Sequence, residues 1–95
     1  MKTIKQASVF SRNVQFVPST INMKQGVIYV SREFQTASHL CLCECGCLVV
    51  TPLSDGWWTL NNDDEKGVTM TPSIGNFQFK CNSHYIITNG IANFV

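Results

Sequence analysis

Cysteine is concentrated in two short stretches of the sequence. Four of the five cysteines occupy alternate positions within residues 41–47, and the fifth, Cys81, precedes His84 by three residues. Zinc prefers a tetrahedron of thiolate and imidazole ligands, commonly supplied as short groups from separate segments of the chain. Side chains two residues apart on a strand share a face, and a pair three residues apart can bracket a turn. The sequence therefore predicts one Zn²⁺ site that draws on both stretches.

This spacing offers more candidates than the four ligands of a closed zinc site. The side chains predicted to bind the metal are Cys41, Cys43, Cys45, Cys81 and His84. The preferred four are Cys43, Cys45, Cys81 and His84, with Cys41 as the first substitute. Cys47 has the same parity but runs directly into the apolar residues 48–50, so it is either a further ligand or part of the core.

Other interpretations of the cysteines compete with a metal site. A free cysteine often acts as a small buried hydrophobic residue, but the clustering of four in residues 41–47 favours metal binding. Disulfides are disfavoured because the cysteine count is odd and because the N-terminus, MKTIKQASVF, lacks the apolar run of a secretory signal. A redox or catalytic thiol is the remaining alternative.

A serine and two histidines offer a second kind of chemistry. Ser73 lies in residues 71–76, which we expect to be a non-strand segment between two strands. A serine becomes nucleophilic only beside a base, and either His39 or His84 could be that base. The predicted catalytic residues are His39 and Ser73. The alternatives are that Ser73 bonds its own loop and that His39 is a metal ligand or a structural histidine.

The composition limits the classes of function. Ninety-five residues are enough for one domain, residues 1–95. Charged residues make up only 14% of the chain, the net charge is +1, and the basic residues are scattered, which argues against nucleic-acid binding. No segment approaches the roughly 20 apolar residues of a membrane span. We therefore expect a cytoplasmic protein, in which cysteines bind metal or do chemistry more often than they form disulfides.

Short β-like runs separated by turn residues must position these groups. The predicted strands lie at residues 14–17, 27–30, 48–53, 57–60, 68–70, 77–79, 85–88 and 91–95. Asn89-Gly90 between two apolar runs is the strongest of the hairpin signals. The polar residues 61–67 indicate a second hairpin end, while residues 32–40 could hold a helical turn. The predicted fold class is all-β, a small and mostly antiparallel domain held together by one zinc site.

Five segments in order, HLCLCECG (39–46), VVTPL (49–53), WTL (58–60), TPSIGNF (71–77) and CNSHYII (81–87), resemble the small bacterial proteins grouped as domain-of-unknown-function 6527. The resemblance covers about residues 14–95. The matching positions with chemical potential are His39, Cys41, Cys43, Cys45, Ser73, Cys81, Ser83 and His84. The chain departs from the pattern at Glu44, where glycine is expected, and at Phe77, where tryptophan is usual.

The resemblance implies a zinc-binding accessory protein of a bacterial ubiquitin-like conjugation pathway, with a place in antiviral defence. Its partner would be a ubiquitin-like protein or the enzymes that conjugate it. In the stronger form of this hypothesis the protein is a peptidase that processes or removes the modifier, through His39 and Ser73 or through a metal-bound water. The alternative is a non-catalytic, zinc-stabilised binding module that docks partners through the region of Trp57 and residues 71–76.

Overall fold

The computed structural model describes residues 6–95 and contains nine strands. In chain order they are β1 (Gln6–Ser8), β2 (Phe10–Asn13), β3 (Val27–Ser31), β4 (Thr36–Leu40), β5 (Leu48–Pro52), β6 (Thr59–Asp63), β7 (Gly67–Gly75), β8 (His84–Thr88) and β9 (Ile91–Phe94). One turn of 3₁₀ helix at Thr20–Asn22 lies between β2 and β3. Residues 1–5 lie outside the described residues. They include the start of the predicted domain 1–95 and of the N-terminal segment in which we expect no secretory signal.

The strands form two sheets. One has five strands in the order β1-β9-β8-β7-β6, and the other has four in the order β2-β3-β4-β5. All neighbouring strands are antiparallel except β2 and β3, which run parallel. The prediction of an all-β, mostly antiparallel fold is confirmed. Within residues 6–95 no helix has the length and apolar character needed to cross a bilayer.

Apolar side chains from both sheets meet in a single core. The four-stranded sheet contributes Ile28, Val30, Ala37 and Val49, and the five-stranded sheet contributes Leu60, Val68, Met70, Ile74, Tyr85, Ile87 and Ala92. Along β8 buried and exposed side chains alternate, as expected where one face of a sheet is covered and the other is open. That alternation decides which side chains of β8 face the core and which face outward.

Turn chemistry was a reliable guide to the hairpins. Asn89 and Gly90 both have positive φ, 48° and 77°, and they join β8 to β9 as predicted. The acidic hairpin end is also confirmed, although it is shorter than expected because β6 and β7 pair as far as Asp63 and Gly67. Within it the Asp63 carboxylate accepts hydrogen bonds from the backbone N–H groups of Glu65 and Lys66.

Four local predictions were wrong. Residues 14–17 follow strand β2 and are not a strand, and residues 77–79 form turns. Residues 57 and 58, expected to begin a strand, precede β6. Residues 32–40, where the sequence allowed a helical turn, contain β4, because it pairs with β3 and β5 on both sides. Residues 71–75, expected to be non-strand, are the second half of β7.

Strand β7 contains a bulge where it pairs with β8. Met70 pairs with Ile87 and Ile74 pairs with Tyr85, so four steps along β7 match only two along β8. Pro72, which has no N–H to donate to a ladder, lies in this bulge. Bulges of this kind bend a strand and change the direction of its side chains. The bulge therefore frees Ser73 from regular pairing while leaving it beside β8.

Gly67 offers a test of this packing. A Cβ at Gly67 would lie 2.9 Å from the Gly90 Cα, and Gly67 has a φ of +96°. We expect Gly67→Ala to lower the free energy of unfolding by about 2–3 kcal/mol, because left-handed strain of about 1–2 kcal/mol adds to a backbone clash. Gly56→Ala is the matched control, since Gly56 has a φ of +87° but open space around it. Equal losses in denaturant titrations of the two variants would contradict the close approach of the two hairpins.

Candidate functional site

A tight loop after β4 carries four of the five cysteines, and three of them belong to a group of four neighbouring sulfurs. The Cys41 N–H donates to the Cys47 carbonyl (2.8 Å) and the Glu44 N–H donates to the Cys41 carbonyl (3.0 Å). Glu44 has a φ of 70° and Gly46 a φ of 85°. The chain therefore turns back on itself twice within six residues, which directs the sulfurs of Cys41, Cys43 and Cys45 to one side.

A second loop, residues 76–83 between β7 and β8, supplies the fourth cysteine. The Asn76 N–H donates to the Ser83 carbonyl at 2.7 Å and closes the base of this loop. Asn82 adopts a φ of 51°, a conformation that asparagine tolerates better than most residues. Cys81 consequently leaves the five-stranded sheet and points toward the cysteines of the first loop, which belongs to the other sheet.

The four sulfurs match the size of a tetrahedral metal site. Those of Cys41, Cys43, Cys45 and Cys81 all lie within 4.8 Å of one another. The Cys41 Sγ is 3.4 Å from the Cys43 Sγ and 3.7 Å from the Cys81 Sγ. Four sulfurs about 2.3 Å from a zinc ion define a tetrahedron with edges of about 3.8 Å. The cluster is close enough to bind one metal ion, and its four thiols suit zinc.

Polar side chains surround the most deeply buried sulfur. The Ser83 Oγ lies 3.1 Å from the Cys41 Sγ, and the Asn76 amide donates to that sulfur at 3.6 Å and to the Ser83 Oγ at 3.1 Å. The same amide donates to the Tyr85 hydroxyl at 3.2 Å. Donors of this kind stabilise thiolates and fix the positions of metal ligands. The buried side of the cluster is thus prepared for negative charge.

The thiols differ in acidity. Burial raises the pKa of Cys41 and also that of Cys43. Burial opposes ionisation of Cys81 too, but hydrogen bonds from the Ser83 side chain and backbone and from the Cys43 thiol lower its pKa to about 6. A metal ion binds thiolates and displaces their protons. Among Cys41, Cys43 and Cys81, hydrogen bonding thus favours the thiolate at Cys81.

Ser73 and His84 meet on the outer face of the five-stranded sheet. His84 begins β8 opposite Gly75, and Ser73 lies two residues before Gly75 on β7. Such diagonal neighbours are within reach of a long side chain, and the His84 Nε2 lies 2.8 Å from the Ser73 Oγ. Both side chains are half-buried. The arrangement has the separation required for an imidazole to take the proton of a serine nucleophile.

Aromatic rings enclose this pair. The Phe77 ring contacts His84 edge-on with 5.4 Å between ring centroids. Gly75 makes this possible, because a Cβ there would lie 2.6 Å from the Phe77 ring. On the other side the Trp58 indole N–H donates to the Ser73 carbonyl at 3.4 Å. Phe77, at the position where tryptophan is usual in the resembling family, therefore places an aromatic ring against the His84 imidazole.

Two cavities lie near the pair. One, of about 200 Å³, is lined by His84 together with Cys43, Cys81, Asn82, Ser83, Phe94 and Val95. The other, of about 210 Å³, is lined by Gly56, Trp57, Trp58 and Pro72, the residue before Ser73.

His39 and Ser73, the predicted catalytic pair, are not hydrogen-bonded to each other. The His39 Nε2 lies 2.7 Å from the Tyr85 hydroxyl, and its Nδ1 is buried without a hydrogen-bond partner. The physical reason is alternation along β8, which sends Tyr85 into the core and the adjacent His84 outward. His39 is buried and contacts Tyr85 in the core, so the imidazole beside Ser73 is that of His84.

The same alternation changes the predicted ligand set. His84 is bonded to Ser73 and lies outside the group of four sulfurs, and Cys41, the first substitute, completes that group. The three cysteines do share one side as expected, but through a loop and not along a strand. Cys47 packs against the apolar core, and Glu44 is exposed in a left-handed conformation, which explains why glycine is the expected residue at position 44.

Two residues of the site were not singled out from the sequence. Asn76 and Tyr85 are buried and link His39 to the cysteine cluster. Their one signal was a place within the resembling segments TPSIGNF and CNSHYII. Asparagine and tyrosine are common in loops and strands, so neither type alone indicated a buried role.

Removing a thiol tests the metal site. Wild-type protein should carry about one zinc ion per chain, and Cys41→Ser or Cys81→Ser should lose it, because a hydroxyl is a poor substitute for a thiolate ligand. Native mass spectrometry measures the stoichiometry. Cys47→Ser is the control from the same loop and should keep its metal. Full zinc retention in both cluster variants would contradict the assignment.

Acid sensitivity tests the burial of His39. Burial lowers the pKa of His39 to about 4 from 6.5. Above pH 6.5 the His39 imidazole is neutral in both the folded and the unfolded protein. As the pH falls the unfolded chain binds the proton first, so stability is lost between about pH 6.5 and pH 4, by up to about 3 kcal/mol.

The measurement is the free energy of unfolding as a function of pH in wild type and in His39→Gln. The variant should lose less stability over this window, because every other titrating group is shared by the two proteins. Parallel pH profiles would show that His39 titrates normally.

Comparison with known protein families gives a match over most of the chain. The family model described as "BubE: Bacterial ubiquitination-like system serine protease (BubE)" matches residues 13–95. The model carries a different name from domain-of-unknown-function 6527 but, as the resemblance implied, concerns a ubiquitin-like system. No curated protein and no solved structure matches the chain. The match covers both cysteine loops, Ser73 and His84, and the chain belongs to the BubE family.

Proposed function

We propose that this protein is a serine peptidase that cleaves the bond after the C-terminal residue of a ubiquitin-like modifier. Ser73 is the nucleophile and His84 is its base. Cys41, Cys43, Cys45 and Cys81 hold one zinc ion that fixes the fold around this pair. The observation that carries the proposal is the 2.8 Å contact between the Ser73 Oγ and the His84 Nε2 in a chain of a family described as serine proteases.

The bulge in β7 supports this assignment. A serine on a regular strand beside a histidine is common on protein surfaces and needs no function. Here the ladder breaks between Met70 and Ile74, and Ser73 lies within the break, while its partner His84 and its neighbour Pro72 each line a cavity. Bulges occur often next to active sites because they change the direction of one side chain.

The reaction follows from the chemistry of the two groups. The Ser73 Oγ attacks the carbonyl carbon of the scissile bond while its proton passes to the His84 Nε2. His84 then gives that proton to the departing amine, which leaves an ester between Ser73 and the modifier. Water attacks the ester, with His84 accepting a proton and returning it to Ser73. The modifier leaves with a free carboxylate.

The zinc role follows from the ligands. When bound, zinc would cross-link two loops from different sheets and supply no open position, because four thiolates fill a tetrahedron. Cys81 lies in the loop that leads into β8, three residues before His84. Fixing Cys81 would fix the start of β8 and hence the direction of the His84 side chain. The cysteines would thus support the catalytic pair by fixing its position.

The alternative of a non-catalytic binding module predicts a closed metal site and no pairing of His39 with Ser73. The four-cysteine group and the contact of His39 with Tyr85 both fit that alternative, and the contact between Ser73 and His84 is the observation that favours the peptidase. We place the protein in the cytoplasm, a proposal supported by the free state of its cysteines. Its partners there are the modifier and the conjugation enzymes of a ubiquitination-like system.

Loss of either catalytic group tests the proposal. Ser73→Ala and His84→Gln should each reduce cleavage of a C-terminally extended ubiquitin-like partner by about a thousandfold or more, because the serine and its base act as a unit. Product mass identifies the cleaved bond. A fluorophosphonate should also label wild-type protein at Ser73, as shown by peptide mass spectrometry.

Ser11→Ala is the matched control, since Ser11 is a half-buried serine on another strand. It should retain both cleavage and labelling. Cleavage that persists in Ser73→Ala, or fails to occur in wild type loaded with zinc, would refute the serine mechanism. Cleavage that persists only in His84→Gln would remove His84 as the base and keep Ser73 as the nucleophile.

A further inference from the structure

The chain's two tryptophans form an open apolar cavity directly before the proposed nucleophile. The indoles of Trp57 and Trp58 stack with 6.3 Å between centroids and an interplanar angle of 19°. Gly56 and Pro72 complete the lining of this space of about 210 Å³. Trp57 remains 59% exposed, so its ring is accessible to a ligand in this cavity.

This cavity is tied to the proposed active site by covalent and hydrogen bonds. Pro72 immediately precedes Ser73, so the pyrrolidine ring of the lining and the reacting hydroxyl belong to neighbouring residues. The Trp58 indole N–H donates to the Ser73 carbonyl. Trp58 also packs against the core, which makes it a fixed wall, whereas Trp57 forms the exposed wall.

The position of His84 gives the two cavities different uses. In serine hydrolysis the imidazole returns its proton to the leaving group, so the leaving group must lie on the histidine side. The cavity that His84 lines is on that side. The cavity beside Pro72 and Trp58 is lined by the neighbour of Ser73 and not by His84, which fits the acyl part of the substrate, because that part remains attached to the serine after the first step.

The geometry points to a specificity subsite: the cavity of Gly56, Trp57, Trp58 and Pro72 binds a bulky apolar side chain near the C-terminal end of the modifier, on the acyl side of the scissile bond. This inference rests on the proposed peptidase function and names the part of the substrate that the enzyme recognises. Two stacked indoles and a proline offer apolar faces and no charged group, so the occupant is aliphatic or aromatic. Recognition is then independent of the leaving group.

Kinetics with short acylated peptides tests the subsite. Leucine, phenylalanine, lysine and glycine are placed in turn at each of the two residues before the scissile bond, with two different leaving groups. In wild type loaded with zinc, leucine or phenylalanine at one of these positions should raise kcat/KM about tenfold over glycine. Trp57→Ala should bring this ratio close to one with both leaving groups.

Phe34→Ala is the matched control, because Phe34 is an exposed aromatic residue (55%) elsewhere on the surface. It should keep the tenfold ratio. A ratio unchanged in Trp57→Ala, a preference for lysine, or a dependence of the ratio on the leaving group would each overturn the subsite while leaving Ser73-dependent hydrolysis intact.

A binding measurement separates failure of the subsite from failure of the peptidase proposal. The only tryptophans of the chain lie in this cavity, so tryptophan fluorescence reports on it directly. Ser73→Ala protein is titrated with the product peptides, which end in a free carboxylate. The apolar peptide should bind about tenfold more tightly than the glycine peptide. Equal affinities would overturn the subsite even if no peptide is ever cleaved.

Discussion

Alternation of side chains along β8 determines which residues of the site face the core and which face outward. Successive residues of a strand project to opposite faces, so His84 points outward to Ser73 and Tyr85 points inward to His39 and Asn76. A shift of one residue in the register of β8 would exchange these two roles. The pairing of Tyr85 with Ile74 and Phe94, and of Ile87 with Ala92, fixes the register through buried contacts. The core of the protein therefore also sets the geometry of its surface chemistry.

Tyr85 and Asn76 connect the inner and outer parts of this arrangement. The Asn76 amide contacts the Tyr85 hydroxyl, the Ser83 hydroxyl and the Cys41 sulfur, and it lies at the base of the loop that carries Cys81. Buried polar groups without partners are costly, whereas connected ones specify one arrangement. One such cost remains, at the buried Nδ1 of His39. The network gives the cysteine loops a defined position relative to β8.

The sequence was informative where residue type and spacing have a local meaning. Asn89-Gly90 predicted its hairpin because both positions require positive φ, and the clustered cysteines predicted a group able to hold a metal. The sequence was misleading where pairing between strands decides the local structure. Residues 36–40 show no strong strand signal but pair on both sides, and the choice between His39 and His84 as neighbour of Ser73 depends on which face each occupies. A spacing of three residues between Cys81 and His84 suggested a ligand pair, yet a strand begins at His84 and turns its side chain away.

The separation in sequence between contacting groups differs between the two parts of the site. Ser73 and His84 are eleven residues apart on two neighbouring antiparallel strands, whereas Cys41 and Cys81 are forty residues apart, in loops attached to different sheets. A cross-link over a loop of that size removes chain entropy worth about 4 kcal/mol from the unfolded state. A metal ion held by the four thiols would therefore stabilise the docking of the two sheets, whereas the hydroxyl and the imidazole need only one pair of strands to meet.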